Sequence, residues 1–327
     1  MTTDSSHPLS RRSFLTQAGA GSVGLAAANL IAAPGDPKKK SEVHGEKWPH
    51  EARLAISISM QFEAGGQPDF GADSPFSIAP VPEPYPDLPA RTWFKYGYRE
   101  GIPRLLDLWD KHGIKVTSHM VGGAARKNPQ LAKEIVDRGH EAAAHGMTWQ
   151  PEFAMSREDL KTFISDGVKA VFDATGQQTI GYNANWLHRS VHTLPVLQEL
   201  GFLYHVDDLS HDEPTLVPVN GQDFVVVPYT IRNNDIMLIE GRHFSSGQFL
   251  EQLKHEFDQL YAEGATRRRQ MSISTHDRIG GTPAMVRVMD EFLTYAKSHP
   301  GIWFARKDEI ARFAKQSPLT PRDSEET

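Results

Sequence analysis

The sequence has no cysteine at any of its 327 positions. Disulfide bonds, thiolate metal ligands and a cysteine nucleophile are therefore excluded, and the folded chain depends on its packed core alone. An excess of positive charge is also lacking, because 35 lysine and arginine residues stand against 41 aspartate and glutamate residues, a formal net charge of −6. We do not expect a chain with this balance to bind nucleic acid.

A phosphate-binding loop is missing as well. The segment FEAGGQ, residues 62–67, follows the first predicted strand and contains two glycines. It has neither the GxGxxG spacing nor the lysine that a nucleotide-binding loop uses to hold phosphate groups. Nucleotide binding is therefore not expected.

A long segment without charge lies near the N-terminus and follows a pair of arginines, Arg11 and Arg12. Residues 15–33 are rich in alanine and glycine and are only marginally long enough for a membrane span. This pattern predicts a twin-arginine export signal over residues 1–33, followed by an extended linker over 34–50. We expect export to the periplasm or the cell exterior, and no membrane span once the signal is removed.

Short apolar runs alternate with segments of helical period from residue 51 to residue 316. RLAISISMQF (53–62) predicts a buried strand, and REGIPRLLDLWDKHG (99–113) predicts a helix that ends at a glycine. Regular alternation of this kind predicts a parallel sheet with helical crossovers, either open or closed into a barrel. We assign residues 51–316 to this domain and residues 317–327 to a polar tail.

Polar side chains stand where several predicted strands end. They are Glu63, His119, His145, Asn185, Asp207, Asp208 and His276. In a parallel barrel the carboxyl ends of all strands share one rim, which is where active sites form. We therefore expect the functional site among these residues.

The motif GHEAAAHG (139–146) and the segment that begins MSISTHDRIGG at residue 271 resemble the polysaccharide deacetylases of the nodulation-type homology domain. Within that family the chain is similar to peptidoglycan-deacetylase-like proteins and to the metal-independent bacterial allantoinases. The likeness extends from Arg53 to Ala314. It implies a distorted (β/α)7 barrel of the α/β class and a hydrolase that acts on carbon–nitrogen bonds other than peptide bonds.

The resemblance also implies a divalent metal such as zinc, held by one aspartate and two histidines. The first histidine falls on His145, but the aspartate falls on Ala64 and the second histidine on Trp149. Neither a methyl group nor an indole offers a lone pair to a metal, so two of the three ligands are lost. We predict no metal at the family's position; a rebuilt site would combine His145 with His119 or Asp207.

The same resemblance suggests catalytic roles for three residues. Glu63 is predicted to activate water, provided that burial raises its pKa toward neutrality. His145 is predicted to hold the developing oxyanion, together with neighbouring amides. His276 is predicted to protonate the leaving nitrogen, with Asp277 fixing its tautomer.

Further residues are predicted to contact the substrate. Trp149 is expected to form a stacking wall, and the carboxamides of Asn183 and Asn185 are expected to donate to an oxyanion. The remaining substrate-binding candidates are Asp207, Asn234 and Asp235, which match family positions.

Several readings of the function stay open. The leading hypothesis is N-deacetylation of an amino sugar or polysaccharide, and the alternative is hydrolysis of a small cyclic amide, as in the allantoinases. A barrel that binds a glycan without catalysis, and a metalloenzyme with rearranged ligands, are further possibilities. The proline-rich segment 70–91 is predicted to serve as a lid or as an arm between subunits, and the resemblance suggests a homotetramer.

Overall fold

The computed structural model describes residues 47–68, 74, 75, 79, 81, 82 and 84–323. The predicted export signal, most of the linker, part of the proline-rich segment and the last four residues of the polar tail lie outside the described residues. Within the described part of the chain, no helix is both long enough and apolar enough to cross a lipid bilayer.

The described residues form strands and helices that alternate along most of the chain. The strands are β1 (Leu54–Phe62), β2 (Thr117–Met120), β3 (Glu141–Ala144), β4 (Gly181–Tyr182), β5 (Tyr204–His205), β6 (Thr215–Val219), β7 (Gln222–Val226), β8 (Gln270–His276) and β9 (Ile302–Phe304). The helices are α1 (Leu88–Tyr96), α2 (Ile102–His112), α3 (Gly122–Lys127), α4 (Pro129–Asp137), α5 (Arg157–Thr175), α6 (Thr193–Glu199), α7 (Ser246–Glu263), α8 (Pro283–Lys297) and α9 (Lys307–Gln316).

One sheet contains all of these strands, in the order β6-β7-β5-β4-β3-β2-β1-β8, with β9 paired to β1. The strands pair in parallel except for the β6–β7 hairpin, which is antiparallel. Because parallel neighbours need crossover connections, the helices that join them cover the outside of the curled sheet. The prediction of a parallel α/β sheet closing toward a barrel is confirmed.

Strand β1 pairs with β2, β8 and β9, and its two faces differ in chemistry. Ile56, Ile58 and Phe62 belong to the large apolar cluster formed with the surrounding helices. The alternate residues Ser57 and Gln61 are also buried, but they contact the polar side chains of Gln270 and Tyr229. Since side chains alternate across a strand, the inner face of the curled sheet is polar. The polar inner face of the sheet can therefore support a polar site at the strand ends.

Two elements differ from the sequence-based expectation. Strand β6 was not predicted, although the Asn220–Gly221 turn that joins it to β7 has positive φ at both residues, the pattern of a two-residue hairpin. The strand that was expected to end at Asn185 is β4, which stops at Tyr182, and the chain turns at Asn185–Leu187 with positive φ at Trp186 and Leu187. A tight turn thus replaces the expected strand end beside the site.

Glycine at position 101 allows helix α2 to approach the segment that follows β8. A Cβ atom on Gly101 would lie 1.9 Å from the backbone oxygen of Asp277, far inside contact distance. We expect Gly101→Ala to lower the free energy of unfolding by about 1–3 kcal/mol, the cost typical of forced overpacking. Urea unfolding followed by circular dichroism measures this.

Gly247 is the matched control, because it lies in helix α7 and a Cβ there would meet nothing closer than 3.9 Å. Gly247→Ala should be neutral or slightly stabilising, since alanine favours the helix. Equal effects of the two substitutions would contradict the packing argument.

Candidate active site

A cavity of about 350 Å³ opens at the carboxyl ends of the parallel strands. Its walls are largely apolar, and its floor is polar. The lining residues are Gln61, Glu63, His145, Trp149, Asn183, Ala184, Trp186, Leu187, His188, Leu209, Tyr229, Ile231, Asn234, Ile236, Met237 and His276. The structure thus brings Glu63, His145 and His276, the three predicted catalytic residues, together in one cavity.

Glu63, His145 and His276 converge at the floor of the cavity, although they follow or end three different strands. The Oε1 atom of Glu63 lies 3.5 Å from Nε2 of His145 and 3.6 Å from Nε2 of His276. All three side chains are buried. Two imidazole nitrogens thus face one carboxylate oxygen.

A hydrogen bond from behind orients the His276 ring. Its Nδ1 lies 2.5 Å from Oδ1 of Asp235, and its backbone N–H donates to Oδ2 of the same carboxylate at 2.7 Å. A carboxylate accepts here, so Nδ1 carries hydrogen and Nε2 faces Glu63. The expectation that Asp277 fixes this tautomer was wrong: the partner is Asp235, which lies behind the ring and does not line the cavity.

The pKa of His276 is raised above its ordinary value of 6.5. Burial by itself lowers this pKa, but the negative charges of Asp235 and Glu63 outweigh the burial. His276 is therefore an imidazolium over a wider pH range than a free histidine, and it holds a proton ready to donate.

The ring of His145 is fixed in a similar way by a backbone group. Its Nδ1 donates to the carbonyl oxygen of Asn183 at 2.6 Å, and its Nε2 faces Glu63. Only the doubly protonated ring offers a hydrogen to both acceptors. In that form Nε2–H points into the cavity, as the predicted oxyanion-holding role requires.

The carboxyl group of Glu63 has its pKa lowered well below the ordinary range. Burial alone would raise the pKa, but positive charge on His276 and Arg278 and the hydrogen bond from His145 outweigh it. The condition stated for Glu63, that burial raises its pKa toward neutrality, is not met. Glu63 is an ionised acceptor throughout the neutral range.

Arg278 provides the closest contact to Glu63, and the sequence analysis gave it no role. Its Nη1 donates to Oε2 of Glu63 at 2.7 Å, and the same Nη1 lies 3.4 Å from Oδ1 of Asp277. The Oδ2 atom of Asp277 in turn accepts from the backbone N–H groups of Glu63 and Ala64, at 3.1 and 2.8 Å. Arg278 could have been predicted as part of the site, because the pair Asp277–Arg278 directly follows His276 in sequence.

Asn183 lines the cavity, but its carboxamide nitrogen is already engaged. It donates to Oδ1 of Asp207 at 2.7 Å and to the backbone oxygen of Ala184 at 3.2 Å. The structure therefore leaves this amide no hydrogen for an oxyanion, against the prediction. Asn185 and Asp207 are buried but do not line the cavity, so the structure does not place them as substrate contacts either.

Two polar residues of the floor were missed. Gln61 donates to the hydroxyl oxygen of Tyr229 at 2.7 Å, and that hydroxyl forms a 2.5 Å hydrogen bond with Ser274. The predicted contact Asn234 also lines the cavity and lies 3.5 Å from the Tyr229 hydroxyl. Gln61 could have been found, because Ser57, Ser59 and Gln61 are polar at every second position of β1.

Two tryptophans form one wall of the cavity. Trp149 and Trp186 stack with ring centroids 6.1 Å apart and planes inclined by 17°. Trp149 is buried, whereas 44% of the surface of Trp186 is exposed. Trp149 thus lies where the sequence analysis expected a stacking wall.

The residues present do not fit a catalytic metal. Within the described ranges, no group of three or more histidine, aspartate or glutamate side chains is arranged to hold a metal ion. Both ring nitrogens of His145 face Asn183 and Glu63, and the carboxylate of Asp207 accepts from Asn183 and Ala184. The carboxylate of Asp207 is therefore already engaged and cannot complete a rebuilt site with His145, and His119 would add only one further imidazole.

Comparison with known proteins places this geometry in context. A family model described as polysaccharide deacetylase matches residues 90–205. A peptidoglycan deacetylase of Helicobacter pylori is 25% identical over 252 residues, which cover 67% of this chain and 85% of the relative.

Two solved structures are similar over most of their length. A probable polysaccharide deacetylase from Pseudomonas aeruginosa PAO1 has a TM-score of 0.76 and 30% identity, and the match covers 82% of this chain and 93% of that one. Puue allantoinase has a TM-score of 0.76 and 30% identity, with 85% of this chain and 97% of that chain covered. The predicted barrel type is thereby confirmed.

We expect Asp235→Asn to lower the pKa of His276, because the neutral amide removes the charge that offsets burial of the ring. The imidazole titration of His276, followed by NMR with a His276→Gln sample for assignment, should have its midpoint above 6.5 in the natural protein and at lower pH in the variant. His112, which lies 2.7 Å from Asp290 on the outer helices, provides the comparison. Asp290→Asn should leave the His276 midpoint unchanged, and an unchanged midpoint in Asp235→Asn would refute the assignment of the partner.

Proposed function

The chain belongs to the polysaccharide deacetylase family of hydrolases, and we propose that it cleaves a non-peptide carbon–nitrogen bond with Glu63, His145 and His276. One observation carries this proposal: the two imidazole Nε2 atoms meet at one ionised carboxylate oxygen on the cavity floor. Acceptors behind both rings turn their Nε2 atoms toward the cavity. The arrangement supplies a hydrogen-bond acceptor for water and two proton-bearing donors for an amide.

The roles follow from the charges. Water approaches the amide carbon with one hydrogen bonded to Glu63, and because this carboxylate is a weak base, the proton moves to it only as the new carbon–oxygen bond makes the water acidic. The same bond pushes negative charge onto the carbonyl oxygen. The Nε2–H of His145 stabilises that charge. His276 gives its Nε2 proton to the leaving nitrogen as the carbon–nitrogen bond breaks, so the products are an acid and an amine.

A proton transfer from Glu63 to His276 completes the catalytic cycle. The lowered pKa of Glu63 makes the protonated carboxyl group a strong acid. Its proton therefore passes readily to the His276 nitrogen 3.6 Å away, which has just lost one. This transfer restores both groups without any change in the number of protons at the site.

An N-acetylated amino sugar is the substrate class that we place first. The similar proteins from Helicobacter pylori and Pseudomonas aeruginosa are named as peptidoglycan and polysaccharide deacetylases. The stacked indoles of Trp149 and Trp186 offer an apolar face on which a pyranose ring can lie, and the partly exposed Trp186 extends this face toward the cavity mouth.

A small cyclic amide is the second candidate, and the size of the cavity favours it. About 350 Å³ holds one small molecule, and apolar side chains such as Leu187, Ile231 and Met237 line most of the wall. The similarity to Puue allantoinase is as high as that to the polysaccharide deacetylase. A flat ring between such walls would present its amide to the polar floor.

Two assays in parallel distinguish these substrates. We expect acetate release from N-acetylglucosamine oligomers or peptidoglycan fragments, measured with an acetate-specific coupled enzyme, and no loss of allantoin in a matched sample. Allantoin opening without acetate release would assign the second candidate. Calorimetric binding of the oligomers with no turnover of either compound would instead indicate a barrel that binds glycans without catalysis.

Substitutions at the floor test the roles of the residues. We expect Glu63→Gln and His276→Gln each to lower kcat by about 100-fold or more, because each removes a general acid–base group, while KM changes far less. His112→Gln is the control, since this histidine also pairs with an aspartate but lies outside the cavity. Turnover by Glu63→Gln at the natural rate would end the proposed mechanism.

A further inference from the structure

Arg278 is a fully buried cation whose guanidinium lies among three aromatic rings. Its central carbon is 4.7 Å from the ring centroid of Trp93, 4.6 Å from that of Phe94 and 5.0 Å from that of Trp149. Only 1% of the surface of Arg278 is exposed. Desolvated contacts of this kind are the strongest cation–π interactions, and arginine suits them because its planar group is weakly hydrated.

This cation stands beside both positions that lack a metal ligand. Ala64 and Trp149 pack with Phe94 in one small cluster, and the guanidinium lies over Phe94 and Trp149. The same group donates to Glu63, the acid that precedes Ala64. Where the family resemblance places a metal-binding aspartate and histidine, this chain has a methyl group, an indole and an arginine.

The surrounding backbone holds the arrangement rigidly. Asp277 ties the segment after β8 to the segment after β1, through the backbone N–H groups of Glu63 and Ala64. Gly97 leaves room for this carboxylate, because a Cβ there would lie 2.7 Å from its oxygen. Arg278 is therefore placed by the fold itself, and a rigid placement is what a fixed charge needs.

We propose that the Arg278 guanidinium is the resident cation of this site, a positioning residue that stands in for the charge of a divalent metal. It acts through Glu63: it binds Oε2, keeps the carboxylate ionised in a buried place, and leaves Oε1 to face the two imidazoles. Its charge also repels a metal ion from the same space. The role of Arg278 in turnover rests on the proposed function, whereas its exclusion of a metal does not.

Zinc binding tests the inference without a substrate. Ala64→Asp with Trp149→His restores the two missing ligand types beside His145. We expect this double variant to bind zinc weakly, and the triple variant with Arg278→Ala to bind it at least about 100-fold more tightly, because a like charge a few ångströms away is gone. Isothermal titration with zinc chloride measures both affinities.

Two further triple variants distinguish the effect of the Arg278 charge from the effect of the space that its removal opens and from a general loss of stability. Arg278→Lys in the same background keeps the positive charge and should bind zinc as weakly as the double variant. Arg268 is the matched control, since it is also buried, lies over Trp48 and Phe313 and pairs with Glu213. Arg268→Ala in that background should leave the zinc affinity unchanged.

Equal zinc affinity of the double variant and the Arg278→Ala triple variant would overturn the inference. If the triple variant does not fold alone, its melting temperature with and without zinc decides: folding that zinc restores supports the inference, and no response to zinc refutes it. In the natural background, Arg278→Met should lower kcat with little change in KM, and Arg278→Lys should recover part of the loss. Absence of any turnover would count against the proposed function, and the zinc result would still stand.

Discussion

The burial of one carboxylate governs the organisation of this site. Glu63 is buried at the cavity floor, where an unpaired negative charge is very costly. Positive or hydrogen-bonding groups from three parts of the chain compensate for that cost: His145 after β3, His276 at the end of β8, and Arg278 just beyond it. These groups need partners of their own, and for His276 that partner is Asp235, which lies behind the ring.

The polar character continues beneath the site, inside the curled sheet. Glu141 accepts from the hydroxyl groups of Thr117 and Tyr204, and burial, with a further contribution from Asp308, raises the pKa of its carboxyl group to about 7. Lys307 donates to two serines, and burial lowers its pKa to about 7 even though Glu141 is near. Hydrogen bonds with defined directions therefore hold the strands in register, and the strand ends that carry Glu63, His145 and His276 share this rigidity.

The similarity to both a polysaccharide deacetylase and an allantoinase extends over most of the barrel. In this chain the barrel brings the acid after the first strand and two histidines at strand ends together. The guanidinium of Arg278 places a positive charge beside these groups. A metal needs several lone pairs in one place, whereas a guanidinium needs an acid and aromatic faces, and the chain offers the second set around position 278.

The sequence alone determined which chemistry the rim could hold. Glu63, His145 and His276 were recognisable because each stands at the end of a strand and parallel strands bring those ends together, and the loss of ligands at Ala64 and Trp149 was readable because lone pairs are a property of the residue itself. The tertiary structure decided the pairings. Asp235 rather than the adjacent Asp277 holds His276 from 41 residues away, and Arg278 meets Glu63 across 215 residues. Such contacts depend on strand register and on how loops fold over the rim, and neither leaves a local pattern in the chain.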